Sequence, residues 1–355
     1  MGSARQEFGQ NQLWGFEAMS LKHPLPTPTA VLLVDSGATH TRACLADDQG
    51  QIYGWDEAGP GNAFAVGMKV GTLNLRLAVR GALRSSGLSS GVIRRAVAGI
   101  AGVGSLGKDA APFSSTLQIL LPGSRVSIFG DTRTAFEGAL GGEPGVVIVS
   151  GTGSVVFGCD PQGETVKIGG WGAWIGDEGS SQWISREALR RAAHAVDGMG
   201  ASTELVQAFQ QHFRVQSFLE MVKLIYRAPS PASLGSLAPL VVKVAQKGDY
   251  VAQQIFRQSG EMLAIQAASA LRRLQLKQPV VSYQGAVFRA GNLLLTPMRR
   301  SLRRLVPRAR LIAPRLPPLG GAWLMALWLE GISPSACSIR NFRRNCQEWI
   351  SGGLG

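Results

Sequence analysis

The chain has 355 residues, 45% of them hydrophobic, and a formal charge of +13. That is enough length and apolar content for two globular domains. The longest apolar stretch, Leu316–Leu329, is fenced by Arg315 and Glu330 and falls short of the roughly 18 residues that a bilayer span needs.

No apolar signal segment opens the chain, so a soluble, cytoplasmic protein without a membrane partner is expected. The four cysteines (Cys44, Cys159, Cys337, Cys346) form no C-x-x-C pair. The four histidines (His23, His40, His194, His212) are just as scattered. Neither set has disulfide-framework or metal-ligand spacing, and no protein-held metal is expected.

Residues 1–29 read as a disordered arm ending in HPLPTPTA. From Val31, VLLVDSGATHTRACLADDQGQIYG gives strand, small-residue turn, strand, Asp-Gln-Gly turn and strand. Helical spacing follows over Val66–Leu83, and then short strands in VIRRAVAGIAG and RVSIFGD. From Val146, VVIVSGTGSVVFGCDPQGETVKIGG repeats the opening order, with Gly50 and Gly163 at matching turns. The pair reads as one duplicated three-strand unit.

EGSSQWISREALRRAAHAV then gives a helix with a Ser cap region and Trp183, Ile184, Ala188, Leu189 and Ala192 along one side. Asp249 caps a long helix to about Leu274, VVSYQGAVF gives a strand, and GGAWLMALWLEG (320–331) a buried helix. RRSLRRLVPRAR (299–310) puts Arg299, Arg300, Arg303 and Arg304 on one helical face. Without interleaved aromatics it reads as a solvated face, and no nucleic-acid partner is expected. The excess charge favours small anionic ligands such as a nucleotide.

Strands mixed with helices in two similar halves give an α/β class with two domains facing a cleft. Two turns stand at equivalent places in those halves: DSGAT (Asp35–Thr39) and SGTGS (Ser150–Ser154). Each lets backbone N–H groups converge on an anion, with hydroxyls as further donors. Together they would clamp a polyphosphate, although neither is a G-x-x-x-x-G-K-[ST] loop. In IFGDTRTAFEGAL, Asp131 follows a strand and precedes a helix. It is either a helix cap or a carboxylate that takes a proton from an attacking hydroxyl. GGWGAWIGDEGSSQW (169–183) combines five glycines, three tryptophans and an Asp-Glu pair. Glycines that admit a ligand, an aromatic wall and a hydroxyl-holding carboxylate would make a pocket of it.

These segments resemble the actin–hexokinase–Hsp70 superfamily, and within it the BadF/BadG-type group that includes N-acetylglucosamine kinase. The resemblance runs from about Val31 to Glu330. It rests on DSGATHT and GVVIVSGTGS as phosphate loops, GGWGAWIGDEGSSQWI as the sugar segment and QGAVFRAG on the nucleotide side.

It implies two RNase H-like (actin-like ATPase) domains with a nucleotide and sugar cleft. These would be residues 30–140 with 318–333, and residues 141–317, followed by a basic tail at 334–355. It implies ATP and Mg²⁺ as cofactors and transfer of a phosphoryl group to an amino sugar, N-acetylglucosamine first, with glucosamine, N-acetylmuramic acid and glucose as alternatives.

Asp131 would be the catalytic base. Asn62, Gly170, Trp171 and Asp177 would line the sugar pocket, while Glu178 would cap the following helix. Asp35, Gly37, Thr39, Thr152, Gly153, Ser154 and Gly285 would meet the nucleotide, with Asp35 holding Mg²⁺ through water. Similar kinases are homodimers.

Ser36, Ala38 and Ala286 stand where the family usually has glycine. Wherever φ is positive, each added Cβ would cost about 1 kcal/mol and weaken ATP binding. Two rivals stay open: a non-catalytic ATP and sugar sensor, motivated by those substitutions and the basic face, and an iron–sulfur ATPase activator, for which Cys159 lacks a partner cysteine in a matching segment.

Overall fold

The computed structural model describes residues 30–103, 110–227 and 231–352, so the expected N-terminal arm lies outside the described residues. The strands in chain order are β1 (Val31–Ser36), β2 (Thr41–Ala46), β3 (Ile52–Ala58), β4 (Arg95–Ile100), β5 (Arg125–Gly130), β6 (Gly145–Ser150), β7 (Ser154–Cys159), β8 (Thr165–Gly169), β9 (Val280–Gln284) and β10 (Arg310–Leu311).

Between β3 and β4 come helices α1 (Ala63–Val66) and α2 (Met68–Ser86). Next come α3 (Ala111–Leu120) and, after β5, α4 (Asp131–Leu140). Following β8 are α5 (Ser181–Val196), α6 (Leu205–Phe213), α7 (Phe218–Arg227), α8 (Pro231–Gly235), α9 (Ala238–Gln246) and α10 (Tyr250–Leu274). The chain ends with α11 (Asn292–Leu305), α12 (Pro318–Trp328) and α13 (Ala336–Gly352).

Two compact units result: the described residues through Glu143 with Pro161–Glu164 and the chain from Pro314 onward, and Pro144–Asp160 with Thr165–Ala313. Each holds one five-stranded sheet, ordered β3-β2-β1-β4-β5 in the first and β8-β7-β6-β9-β10 in the second. In both, the opening three strands are antiparallel neighbours and the last two run parallel to the first. The duplication expected from the sequence is therefore present strand for strand. Gly50 (φ +80°) and Gly163 (φ +88°) occupy equivalent turns in the left-handed region, where a Cβ would be strained.

In the first unit, alternation along β1 sorts the core onto two faces. Leu32 and Val34 pack with Leu75 and Val79 of α2 and Phe113 of α3. Val31 and Leu33 pack with Trp323 of α12 and Phe342 of α13. The described part of the segment from 334 packs on this core: Phe342 stacks on Trp323 at 4.8 Å, and Cys346 is buried.

In the second unit, Val146 and Ile148 of β6 share a core with Ile184 of α5 and with Ile255, Leu263 and Ala267 of α10. Asp249 caps α10, which ends at Leu274 as expected. The helix expected over Val66–Leu83 instead begins at Met68, because Gly67 at φ +81° breaks the chain direction, and it continues to Ser86.

Candidate active site

In the first unit, Asp35 is the penultimate residue of β1 and pairs in register with Arg42 of β2. The turn between the strands closes with Gly37 N–H donating to His40 O at 2.8 Å. Gly37 O in turn accepts from Gly61 N (3.0 Å) and Asn62 N (3.2 Å), which stitches GPGNAF onto the hairpin. The Asn62 side-chain oxygen accepts from Phe64 N at 3.0 Å, capping α1. Thr39 sits exposed at the tip.

The strain expected from the glycine replacements is absent. Ser36, Ala38 and Ala286 are not among the described residues with positive φ. Ser36 is buried and its hydroxyl lies 2.9 Å from Thr41 Oγ1. The need for glycine has moved to Gly61, where a Cβ would fall 1.7 Å from Ser36 Oγ.

Asp131 opens α4 directly after β5, and Gly130, rather than Asp131, is the cap residue. Its carboxylate accepts from the adjacent Thr132 N–H at 2.9 Å. Strands β1 and β5 both run parallel to β4, so Asp35 and Asp131 stand at the same, carboxyl end of the sheet, where α/β proteins place their chemistry. They sense each other electrostatically. The Asp35 carboxyl is raised to about 6: burial pushes it up, Arg42 pulls it back, and the Asp131 charge raises it.

In the second unit, the β6–β7 hairpin is closed by Gly151 N–H donating to Gly153 O at 2.9 Å, with Thr152 at its tip. Four contacts tie it to the 169–183 segment. Ser150 Oγ donates to Gly179 O (3.0 Å), Ser154 Oγ to Glu178 O (2.8 Å) and Ser181 N–H to Gly151 O (2.9 Å). The Ser154 backbone N–H, with that of Gly172, donates to the Asp177 carboxylate.

Asp177 itself is 7% exposed and has φ +60°, rare for a residue with a Cβ. Gln182 Nε2 donates to it at 2.9 Å. Burial raises its pKa; the Ser154 and Gly172 N–H groups lower it, Glu178 raises it and Lys167 lowers it. Gly153 is obligatory beneath this carboxylate, since a Cβ would lie 2.7 Å from Asp177 Oδ2. Gly285, just past β9 at φ +111°, would put a Cβ 2.2 Å from Ser150 O. Gly285 therefore abuts the root of the same hairpin.

Gly170 (φ +72°) packs against Val155, and Trp171 is 74% exposed. Glu178 does not cap α5. Ser180 does, accepting from Trp183 N, while Glu178 accepts from Gln266 Nε2 at 3.3 Å. The structure thus brings together Asp35, Gly37, Asn62 and Asp131 in one unit, and Gly153, Ser154, Asp177 and Gly285 in the other. Sequence reasoning missed Gln182 and took Ser150 only as part of the SGTGS turn, whereas both anchor the second group. Their signal was only a buried-polar spacing inside the motifs.

Residues 34–326 match the BadF/BadG/BcrA/BcrD ATPase family. The chain belongs to that family. Among relatives, the N-acetyl-D-glucosamine kinase of Dictyostelium discoideum is 26% identical over 308 residues, covering 83% of this chain and 96% of that protein. The N-acetylmuramic acid/N-acetylglucosamine kinase of Clostridium acetobutylicum is 26% identical, covering 63% of this chain and 76% of that one.

A solved structure of a candidate N-acetylglucosamine kinase from Chromobacterium violaceum is 28% identical. It has a TM-score of 0.69, with 85% of this chain and 99% of that one covered. With its two matched sheets, this BadF/BadG-type chain has the two-domain actin-like ATPase fold. Among the described residues no helix is long and apolar enough to cross a membrane, and no group of three or more His, Cys, Asp or Glu side chains could hold a metal.

Proposed function

We propose that this protein is an ATP-dependent amino-sugar kinase, acting in the cytoplasm, that converts N-acetylglucosamine to its 6-phosphate. The observation that carries the reading is the Asp35–Asp131 pair at the carboxyl end of the first sheet, beside a hairpin of the kind that meets phosphates. The amino-sugar kinases among its relatives supply the substrate class.

Asp131 would accept the proton of the sugar's primary hydroxyl as that oxygen bonds to the γ-phosphorus and the bond from phosphorus to the departing ADP oxygen breaks. Asp35, held in a state that a nearby cation would relieve, fits the role of holding Mg²⁺ through water. Bound with ATP, Mg²⁺ supplies neutralisation of the phosphate charge.

The N–H groups and hydroxyls of Gly37, Thr39, Thr152, Gly153 and Ser154 would receive phosphate oxygens, with Gly285 leaving room on the nucleotide side. Asn62 would donate to and accept from sugar hydroxyls, Gly170 would admit the ring, and Trp171 would offer a face to its C–H edges. Three named donors occupy the Asp177 carboxylate. A carboxylate has about four acceptor positions, so one is left for a sugar hydroxyl.

The unstrained backbone at Ser36, Ala38 and Ala286 removes the main motive for a sensor without turnover. A coupled ADP-release assay over N-acetylglucosamine, glucosamine, N-acetylmuramic acid and glucose tests the reading. Turnover with an amino sugar that survives Asp131→Asn unchanged would refute the base, and no turnover with any of the four would refute the kinase.

A further inference from the structure

From Met262 to Leu329 the chain has no acidic residue and eleven basic ones. Two of these are accounted for separately: Arg315 pairs with Glu143, and Arg289 lies in the turn that follows β9. The other nine are all exposed, and topology gathers them at one end of the second sheet.

Helix α10 ends at Leu274, shortly before β9 begins, and α11 ends at Leu305, shortly before β10 begins. The two strands are parallel and in register from Val280 and Arg310, and Arg310 N–H donates to Pro279 O at 2.9 Å. Arg272, Arg273 and Lys277 therefore share this end with Arg308 and Arg310. Arg299, Arg300, Arg303 and Arg304 line the adjoining half of α11, whose Leu294, Met298 and Leu302 are buried. Because β6 runs parallel to β9, the Ser150 and Gly285 turns are at the opposite end. This charge does not serve the nucleotide loop.

Ion pairing does not explain it either. None of the nine makes a salt bridge within 4.0 Å among the described residues, whereas Arg257, on the same α10, pairs with Glu261. Helix dipoles favour Arg272, Arg273, Arg303 and Arg304 in their last turns. They leave Lys277, Arg299, Arg300, Arg308 and Arg310 unexplained. Like charges held this close cost stability unless an anion meets them.

The occupant can be narrowed. The exposed large hydrophobic residues skip from Ile265 to Trp349, so no apolar anchor accompanies the charge as a membrane-binding helix requires. Nor does any exposed aromatic lie between Met262 and Leu329 on which single-stranded bases could stack. What remains is a guanidinium array, suited to bidentate contact with phosphodiesters.

We propose that this end of the second unit docks duplex nucleic acid through its phosphate backbone, without reading bases. This reading runs against the expectation of a merely solvated face and does not depend on the kinase assignment.

The test is fluorescence anisotropy of a short labelled DNA duplex titrated with the full chain across a salt series. It compares R299Q/R303Q/R304Q with the charge-matched R76Q/R80Q/R84Q on α2, after thermal melts show both variants folded. The α11 variant should weaken binding and lower the slope of log affinity against log salt by about 1 per arginine removed, about 3 in all. The α2 variant should leave the slope unchanged. Equal losses in both variants, no duplex binding by the parent chain, or equal or tighter binding to single strands or anionic phospholipid vesicles would each overturn the proposal.

Discussion

The β1–β2 and β6–β7 hairpins hold the same place in two sheets of the same strand order, yet different groups anchor them. The first is stitched through its backbone to Gly61 and Asn62 and stands beside two coupled carboxylates. The second brings no carboxylate of its own. It is bolted by two serine hydroxyls and a backbone N–H to a separate motif, whose Asp177 reaches in beneath Gly153. The contrast teaches that a duplicated scaffold conserves where a turn sits, while its carboxylate comes from the hairpin's own strand in one copy and from a packed segment in the other.

The sharpest way to break this comparison is Asp131→Asn. If Asp131 is the base proposed above, kcat should fall by about 10²–10⁴-fold with little change in the sugar KM, read in a coupled assay; an equal loss from Asp177→Asn would erase the distinction between the hairpins.

Next in size are glycine substitutions. Gly285→Ala forces a Cβ to 2.2 Å from Ser150 O at φ +111° and should cost about 3 kcal/mol in chemical denaturation. Gly37→Ala in the first hairpin, with its nearest neighbour 3.8 Å away, should stay within about 0.5 kcal/mol.

A third experiment sharpens the electrostatic half. The Asp35 pKa is raised from 3.8 to about 6 in the folded chain. The stability that proton binding confers is complete below 3.8 and is lost as pH rises through about 6. Asp35→Asn should therefore shrink the fall in Tm between pH 5 and 7, by the equivalent of about 1–2 kcal/mol after solvent screening. A variant that falls as steeply as the parent would place the titration elsewhere.

The smallest effect expected is from Ser154→Ala, which leaves the Glu178 carbonyl without its hydroxyl partner. A loss of about 1 kcal/mol is anticipated, with a weaker response of nucleotide affinity to added sugar in calorimetric titrations.

Local rules made much of this legible. Gly50 and Gly163 marked the duplicate because a tight turn needs left-handed backbone, and Asp249 marked a helix start because its side chain caps the next turn. Asp35 and Asp131 were visible as carboxylates at strand ends.

Less legible was anything decided by a partner distant in sequence. The Gly61 requirement depends on a hydroxyl 25 residues earlier in a buried contact. Glu178 pairs with Gln266 rather than the adjacent helix. Helices α6, α7 and α9 passed unread because, at nine or ten residues each, they span fewer than three turns, too few for a helical period to stand out. The burial of α13 was hidden because its basic residues dominate the pattern, while among the described side chains Phe342 and Cys346 sink into the core.

The Asp47–Gly50 turn joins strands laid down early, yet its carbonyls are held from the far end of the chain. Trp323 Nε1 donates to Asp47 O at 2.8 Å, Asn341 Nδ2 to Gln49 O at 3.3 Å and Asn345 Nδ2 to Gly50 O at 2.9 Å. During synthesis, the unit begun first is therefore sealed last, once α13 has left the ribosome. A product cut short before Phe342 would bare the Trp323 ring and lose the Asn345 contact to the turn, a ready mark for quality-control proteases.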